Sequence, residues 1–212
     1  MNTDEHGSKR SRMKRGGGVL ATVMVLSLAG CSLPEAQPDL TRFYVLTPAA
    51  NGGAAGAGGT EVRVFVKAVQ VPEFLRGKLM QVRLAANEVD FVDTARWAEP
   101  LEAGVARVLR ENLEAGGLEV VNRSVDERAL DVVVHLKRCE GARPERVARL
   151  SARVEIYAAG LEGRELAEEE IDVEVPGWDG EDFGQLAAKL SEAAAQMSAR
   201  IAEMIRGVDR SG

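Results

Sequence analysis

The side chains that most often carry catalysis or bind metals are few in this chain of 212 residues. It contains two His and two Cys, and among these His135 and Cys139 lie close together in the sequence. The alternating pattern around them predicts a strand on which both side chains share a face, and four residues span about 13 Å along a strand. One metal ion cannot bind both side chains at that distance. The spacing therefore favours a surface His and a small buried thiol over a metal or catalytic pair.

No motif for a catalytic or nucleotide site accompanies these residues. The chain contains no P-loop, GxGxxG, GxSxG or HExxH pattern. A Ser-His-Asp triad would have to use His135, and no motif that positions a nucleophile or orients that base is present. The acidic run Glu168-Glu169-Glu170 offers carboxylates to a cation, but Arg residues on the facing strand explain the run more simply. We therefore expect no metal site and no enzymatic activity.

The strongest chemical signal lies at Cys31, which follows Leu28-Ala29-Gly30. Five Lys or Arg residues at positions 9–15 precede an apolar run of ten residues, Val19–Leu28, and this pattern is typical of a signal peptide at residues 1–30. With the Cys after Leu-Ala-Gly, the segment resembles the lipobox of bacterial lipoproteins. That resemblance implies cleavage after Gly30 and a covalent lipid such as palmitate on Cys31, with no other cofactor. An ordinary signal peptide with an incidental Cys is the alternative.

The lipid would be the membrane anchor, because no other hydrophobic run approaches the length of a spanning helix. Two or more acyl chains give stable anchoring. Ser32 follows the Cys where an Asp could stand, and by resemblance to proteobacterial lipoproteins this favours the outer membrane. Met13 already begins a complete signal peptide, which leaves Met1 and Met13 as alternative starts.

Cleavage would change the net charge of the chain. Residues 1–30 hold five Lys or Arg and two Asp or Glu, so the mature chain keeps 22 basic and 31 acidic side chains, a net charge near −9. That charge opposes binding to nucleic acid and to anionic lipid. Cys139 would be the one unmodified thiol, so we expect no internal disulfide despite export.

The remaining pattern predicts a lipidated tether at residues 31–40, one domain at 41–207 and a polar tail at 208–212. Alternating apolar residues predict strands over the ranges 41–46, 61–71, 79–84, 88–92, 118–121, 129–137, 147–157 and 165–175. Helices are predicted from Pro100 to Leu113 and from Asp182 to Arg206, the second ending at Gly207. The Ala and Met content of the second helix favours core packing, with a homo-oligomer seam as the alternative. These elements predict an α/β fold with a mixed, mostly antiparallel sheet and two main helices packed on it.

The entrance to the first helix is the candidate site. Trp97 lies between Arg96 and Glu99, and Pro100 begins the helix. This arrangement favours local packing, in which the indole covers the end of the helix while the charges pair. A contact with a partner protein is the alternative, because Trp and Arg are enriched where interfaces bind most strongly.

Several segments occur along the chain in a distinctive order: Phe43-Tyr44-Val45-Leu46, Val71-Pro72-Glu73-Phe74-Leu75, Asn87-Glu88, and Arg96-Trp97-Ala98-Glu99-Pro100-Leu101 followed by RVLRENL at 107–113. Together they resemble the ABC-type transport auxiliary lipoprotein family. That resemblance implies a TolB-amino-terminal-like domain without enzymatic activity. It also implies a docking component on the periplasmic face of the outer membrane, beside MCE-domain proteins that carry lipid between the membranes.

The resemblance gives a defined chemical role to Cys31 alone, because the family has no agreed catalytic residues. Two other functions remain open on the sequence. One is a membrane-anchored periplasmic hydrolase, against which the missing nucleophile motif counts. The other is a secretion pilotin or assembly lipoprotein, which shares the anchor and differs mainly in its partner.

Overall fold

The computed structural model describes residues 38–49, 62–122, 129–159 and 163–211. The chain divides into two compact units, Met1–Asp39 and Leu40–Gly212. The predicted signal peptide, Gly30, Cys31 and most of the tether lie outside the described residues. The second unit contains all the helices and strands of the described part of the chain.

The described residues form eight strands and two long helices, with a short 3-10 turn at Glu73–Leu75. The strands are β1 (Arg42–Tyr44), β2 (Arg63–Gln70), β3 (Leu79–Ala85), β4 (Glu88–Trp97), β5 (Glu119–Val120), β6 (Ala129–Ala142), β7 (Val147–Ala158) and β8 (Glu165–Pro176). The helices are α1 (Leu101–Ala115) and α2 (Phe183–Ser211). This confirms the predicted α/β fold, with a mixed sheet and two main helices.

The sheet is built on β6. One edge of β6 pairs antiparallel with β7, which in turn pairs antiparallel with β8. The other edge pairs in parallel with two strands in succession: β2 along residues 129–135 and β3 along residues 140–142. From there β5 extends the sheet beside β2, while β4 and then β1 extend it beside β3. The longest pairings are antiparallel, as predicted.

A β-bulge interrupts β6 where its neighbour changes from β2 to β3. The register with β7 shifts at Lys137, between the pairs made by Leu136 and Arg138. One extra residue reverses the face that each later side chain takes. His135 and Cys139 therefore lie on opposite faces, and the prediction that they share a face is wrong because alternation in the sequence does not reveal the inserted residue.

Both helices pack on the sheet through one hydrophobic core. The apolar stripe of α1 is buried as predicted, at Leu101, Val105, Val108, Leu109 and Leu113. The stripe of α2 is buried at Leu186, Leu190, Ala194, Met197, Ile201 and Ile205. Neither helix combines the length and apolar character that would let it cross a membrane, within the part of the chain that the structure describes.

The second helix is longer than predicted. α2 continues through Gly207 to Ser211, so the predicted helix end at Gly207 is wrong. A glycine inside a helix costs only about 1 kcal/mol relative to alanine. The preceding turns of α2 are held in the core by Ile201 and Ile205, and the helix continues past the glycine for one further turn.

Candidate functional site

The helix entrance is built around Trp97, the last residue of β4. Its backbone N–H donates to the Lys78 carbonyl (2.7 Å), and its side chain is 4 % exposed within the core. The sequence pattern predicted that this strand ends at Val92. The strand instead continues to Trp97. The register between β3 and β4 shifts between Leu79 and Met80, and this shift accommodates extra residues of β4. The indole thus packs inside the domain, on the side that faces the helices.

Glu99 and Arg107 fix the beginning of α1. Arg107 Nη2 donates to Glu99 Oε1 (2.6 Å) and to the Leu46 carbonyl (2.9 Å). The hydrogen bond to Glu99 raises the pKa of Arg107 above its ordinary value. A Cβ on Gly104 would lie 3.2 Å from Glu99 Oε1. A larger residue at position 104 would therefore crowd the Glu99 carboxylate, and glycine leaves room for it.

The other predicted site residues lie on the surface of the entrance. Arg96, which we expected to pair with Glu99, instead donates Nε to the Asp93 carbonyl (3.3 Å). Arg96 and Trp97 are consecutive strand residues, so their side chains take opposite faces. Pro100 stands one position before α1, and its carbonyl accepts from the N–H groups of the first helical turn (3.0 Å). A partner contact at Arg96, Trp97, Glu99 and Pro100 stays a prediction, and of these four Arg96 and Pro100 are exposed.

A group of exposed apolar side chains lies next to the helix entrance. Of the described residues, the large hydrophobic side chains that are exposed are Leu40, Phe43, Val45, Phe74 and Phe91, and we name them the apolar edge surface. β1 is the last strand at this end of the sheet, and its register places Phe43 opposite Arg96. Phe91 on β4 lies opposite Gln81, and Gln81 Nε2 donates to the Phe74 carbonyl (2.8 Å). Phe43 and Phe91 thus lie on the two neighbouring strands at this end of the sheet, and the Phe74 carbonyl is held beside them through Gln81.

No pattern in the sequence predicts the apolar edge surface. The segment from Thr41 to Leu46 predicts a strand, but its neighbours and its place at the edge of the sheet depend on pairing between distant segments. Exposed apolar side chains that lie together on a monomer often mark a contact with a partner or a membrane. We therefore treat this surface as the second candidate site.

The face of the sheet opposite the helices, which we name the open face, carries charged side chains. Strand pairing places one row across it, which consists of Phe91, Gln81, Glu140, Arg149 and Glu174. Glu140 is 1 % exposed and accepts two hydrogen bonds from Arg83 (2.6 and 2.9 Å). Buried charges are tolerated when paired and hydrogen-bonded in this way. Arg83 thus pairs with Glu140, and Arg149 pairs with Glu174 within the row.

His135 belongs to a structural cluster on the open face. Its Nε2 lies 3.0 Å from Glu155 Oε2, which also accepts from the Tyr157 hydroxyl (2.9 Å), and Arg153 lies 3.1 Å from the other oxygen. The hydrogen bond to His135 is the largest cause that lowers the pKa of Glu155, and the bond from Tyr157 adds to it. The cluster resembles an ion-pair network rather than a catalytic triad, since within the described residues the His ring contacts no hydroxyl or thiol nucleophile.

The acidic run on β8 is paired with basic side chains. Arg200 donates to Glu169 (2.7 Å), and Lys137 donates to Glu170 (2.5 Å). Further along β8, Arg149 donates to Glu174 (2.6 Å), the residue opposite it in the register of the two strands. No cluster of three or more His, Cys, Asp or Glu that could hold a metal ion occurs in the described ranges.

Two further features are the buried thiol of Cys139 and a groove between the helices. Cys139 is buried as predicted, and burial raises the pKa of its thiol to about 12. The groove, of about 310 Å³, lies between α1 and α2. Its polar groups bond to one another: Asn112 Nδ2 donates to Ser198 Oγ (3.1 Å), and Arg206 donates to the Gly116 carbonyl (2.8 Å). Neither feature offers a free polar group to a ligand.

The fold resembles those of several solved structures. An uncharacterized protein of known crystal structure aligns over 98% of its length and 78% of this chain, with 18% identity and a TM-score of 0.64. A Xanthomonas campestris protein of the family DUF330 aligns over 100% of its length and 81% of this chain, with 15% identity and a TM-score of 0.66. At these identities the likeness shows the fold alone. No curated protein sequence matches the chain.

A family model described as "ABC-type transport auxiliary lipoprotein component" matches residues 44–202. The match spans the helix entrance, the strands from β2 to β8 and most of α2. It covers well over half of the chain and agrees with the resemblance carried by the segments around Phe43, Val71 and Trp97. The chain therefore belongs to the family of ABC-type transport auxiliary lipoprotein components.

Proposed function

We propose that this protein is a non-enzymatic docking component of an MCE-type system that transports lipid between membranes. It acts on the periplasmic face of the outer membrane, held there by a covalent lipid on Cys31. The family match over residues 44–202 carries the proposal, because the family is described as an auxiliary lipoprotein component of ABC-type transport.

The sequence before the domain supports the anchor. Leu28-Ala29-Gly30-Cys31 places a Cys directly after a signal-peptide pattern, and Ser32 follows it. A polar segment with two prolines, residues 32–40, then leads to the domain. Nine residues reach at most about 30 Å, so the domain stays close to the membrane that holds the lipid.

The described domain supports a binding role. Its charged side chains are used in pairs such as the buried Glu140 with Arg83 and the half-buried Glu99 with Arg107. Its one described Cys is a buried, protonated thiol, and its His is bonded to a carboxylate. A surface for partners is better provided by the exposed residues at the helix entrance, Arg96 and Pro100, whose neighbours are held rigidly by the core.

The anchor and its location are tested with Cys31→Ser in living cells fed a tagged fatty acid. We expect the wild-type chain to take the label and to fractionate with the outer membrane on a density gradient. The variant should lose the label and leave the outer-membrane fraction, since its anchor is gone. Label retained on Cys31→Ser would contradict the assignment of the lipid, and labelled wild type in the inner membrane would contradict the location.

A further inference from the structure

We propose that the apolar edge surface rests on the lipid bilayer, so that the domain is not merely tethered but lies in one orientation on the membrane. The proposal deepens the proposed function and rests on it through the lipid on Cys31. The occupant is the interfacial layer of the membrane, where headgroups meet acyl chains. Another copy of the chain or a partner protein would be a different occupant, and the experiment below separates them.

The apolar edge surface has the composition that an interfacial contact needs. Phe43 is 63 % exposed and Phe91 is 42 % exposed, in a chain where aromatic residues make up 4% of the sequence. Leu40, at 69 % exposed, adds an aliphatic side chain at the start of the domain. Large apolar side chains held out by a rigid sheet can enter the headgroup region to a depth of about 5–10 Å. Their exposure in water is otherwise unfavourable.

The position of this surface in the chain identifies the membrane as its occupant. Leu40 ends the tether, and Phe43 and Val45 are exposed apolar residues directly after it. The tether begins at Cys31, and its length keeps Leu40 within about 30 Å of the anchored lipid. The first segment of the domain along the chain thus carries exposed apolar side chains.

The distribution of charge agrees with this orientation. An exposed basic side chain lies opposite Phe43, at Arg96, where a long stem can place a guanidinium group among phosphates. β8 lies at the far end of the sheet from β1 and exposes acidic side chains, at Glu165, Glu168, Glu170, Asp172 and Glu174. Charges separated by more than about 8 Å are largely screened at physiological salt, so these acids do not prevent contact at the other end.

The attraction is mainly apolar rather than electrostatic. Asp90 and Asp93 are exposed on β4, and Glu73, which precedes Phe74, is paired with Arg76 (2.7 Å). These carboxylates offset the local Arg charges. We therefore expect the contact to form on zwitterionic lipid as well as on anionic lipid, and to change little when the salt concentration is raised.

The experiment measures depth at single positions in the full lipidated protein. Phe43→Cys and Phe91→Cys are labelled separately with the fluorophore NBD, and Glu168→Cys on β8 is the matched control. All three positions are exposed, so the variants should fold, which a thermal melt verifies. Cys139 is buried and protonated and therefore should not take the label, and the parent protein confirms this. Each protein is reconstituted into phosphatidylethanolamine–phosphatidylglycerol vesicles and into phosphatidylcholine vesicles.

We expect NBD at positions 43 and 91 to shift its emission to shorter wavelength and to be quenched by lipids that carry a nitroxide on the acyl chain. NBD at position 168 should show neither effect. Unquenched NBD at positions 43 and 91 would overturn the proposal, because the domain would then hang free on its tether. A blue shift without lipid quenching, which disappears as protein is diluted in the vesicles, would also overturn it and would indicate another copy of the chain as the occupant.

The mass of the same purified protein reports whether Cys31 is acylated. A chain without acyl groups would contradict the anchor in the proposed function. Vesicles that carry a nickel-chelating lipid can then hold that chain through an N-terminal His-tag, and quenching at positions 43 and 91 is measured as before. The mass thus tests acylation of Cys31, and the quenching separately tests contact between the apolar edge surface and the membrane.

Discussion

The indole ring of Trp178 packs directly against the backbone of Gly141, which leaves no space for a side chain at position 141. A Cβ on Gly141 would lie 2.4 Å from Cζ3 of Trp178. Trp178 is 1 % exposed, and its Nε1 donates to the Asp182 carbonyl (2.9 Å) immediately before α2. Phe183 meets the same ring edge-on, with centroids 6.3 Å apart. The contact therefore joins the end of β6 to the beginning of α2.

We predict that Gly141→Ala destabilises the protein. The added Cβ must displace a large, fully buried ring, and enlarging a residue in a packed core typically costs about 1–3 kcal/mol. Chemical denaturation of the purified protein measures the free energy of unfolding. Gly77→Ala is the matched control, because a Cβ there would meet nothing within 4 Å. Equal stability of the two variants would contradict the packing that we describe.

Much of this fold follows from local patterns in the sequence. The stripes of α1 and α2 are buried where helical spacing places them. The hairpin of β7 and β8 has the register that opposite charges predict, with Arg149 against Glu174. Both signals are local, because they need only the period of one element or the complementarity of two neighbouring strands.

The features that were not predicted depend on contacts between distant segments. The bulge at Lys137 follows from the change of partner along the edge of β6, from β2 to β3. Trp178 lies in a segment that the sequence marks only as a break between elements, and its ring is buried because Gly141 provides a flat surface. Asp131 is buried although it is charged, and it pairs with Lys67 from the neighbouring strand (3.0 Å). The exposure of Phe43 likewise depends on which strand ends the sheet.

Trp97→Ala should reduce the free energy of unfolding by about 3–5 kcal/mol, as is usual when a buried Trp is truncated. We expect partner binding to fall only as the folded fraction falls, because the indole lies in the core. A thermal melt and a pulldown on the same variant measure both quantities. Arg96→Ala is the control on the exposed side of the same strand and should leave stability nearly unchanged. An unchanged melt of Trp97→Ala together with lost binding would make this Trp a contact residue.

Glu155 should contribute stability that depends on pH. Its pKa is lowered in the folded protein, chiefly by the hydrogen bond to His135. The contribution of Glu155 to the free energy of unfolding is therefore fully present above the ordinary Glu pKa of about 4.3. It is lost as the pH falls through the lowered pKa of the folded protein. We expect Glu155→Gln to be less stable than wild type at pH 5.5, with a difference that shrinks as the pH falls below the ordinary Glu value of about 4.3. A difference between wild type and Glu155→Gln that stays constant across this range would contradict the assignment.

Cys139 should report global unfolding. Its side chain is buried and its pKa is raised to about 12, so at neutral pH the reactive thiolate is almost absent in the folded protein. The native protein should react with a maleimide only as fast as the domain unfolds, and unfolded protein in urea should react at once. Mass spectrometry of timed samples measures the labelled fraction. Complete labelling of the native protein within minutes, in conditions where circular dichroism shows it folded, would exclude a buried thiol.

Co-purification from cells tests the central claim most directly. The tagged full-length chain is crosslinked in living cells, purified from detergent-solubilised membranes and analysed by quantitative mass spectrometry, with Cys31→Ser as the matched variant. We predict that an MCE-domain protein is enriched with the wild-type chain, together with the permease and ATPase of its transporter, and that the enrichment falls in Cys31→Ser because the variant leaves the membrane. Enrichment of secretion-system components without any MCE-domain protein would contradict the account and would indicate a pilotin.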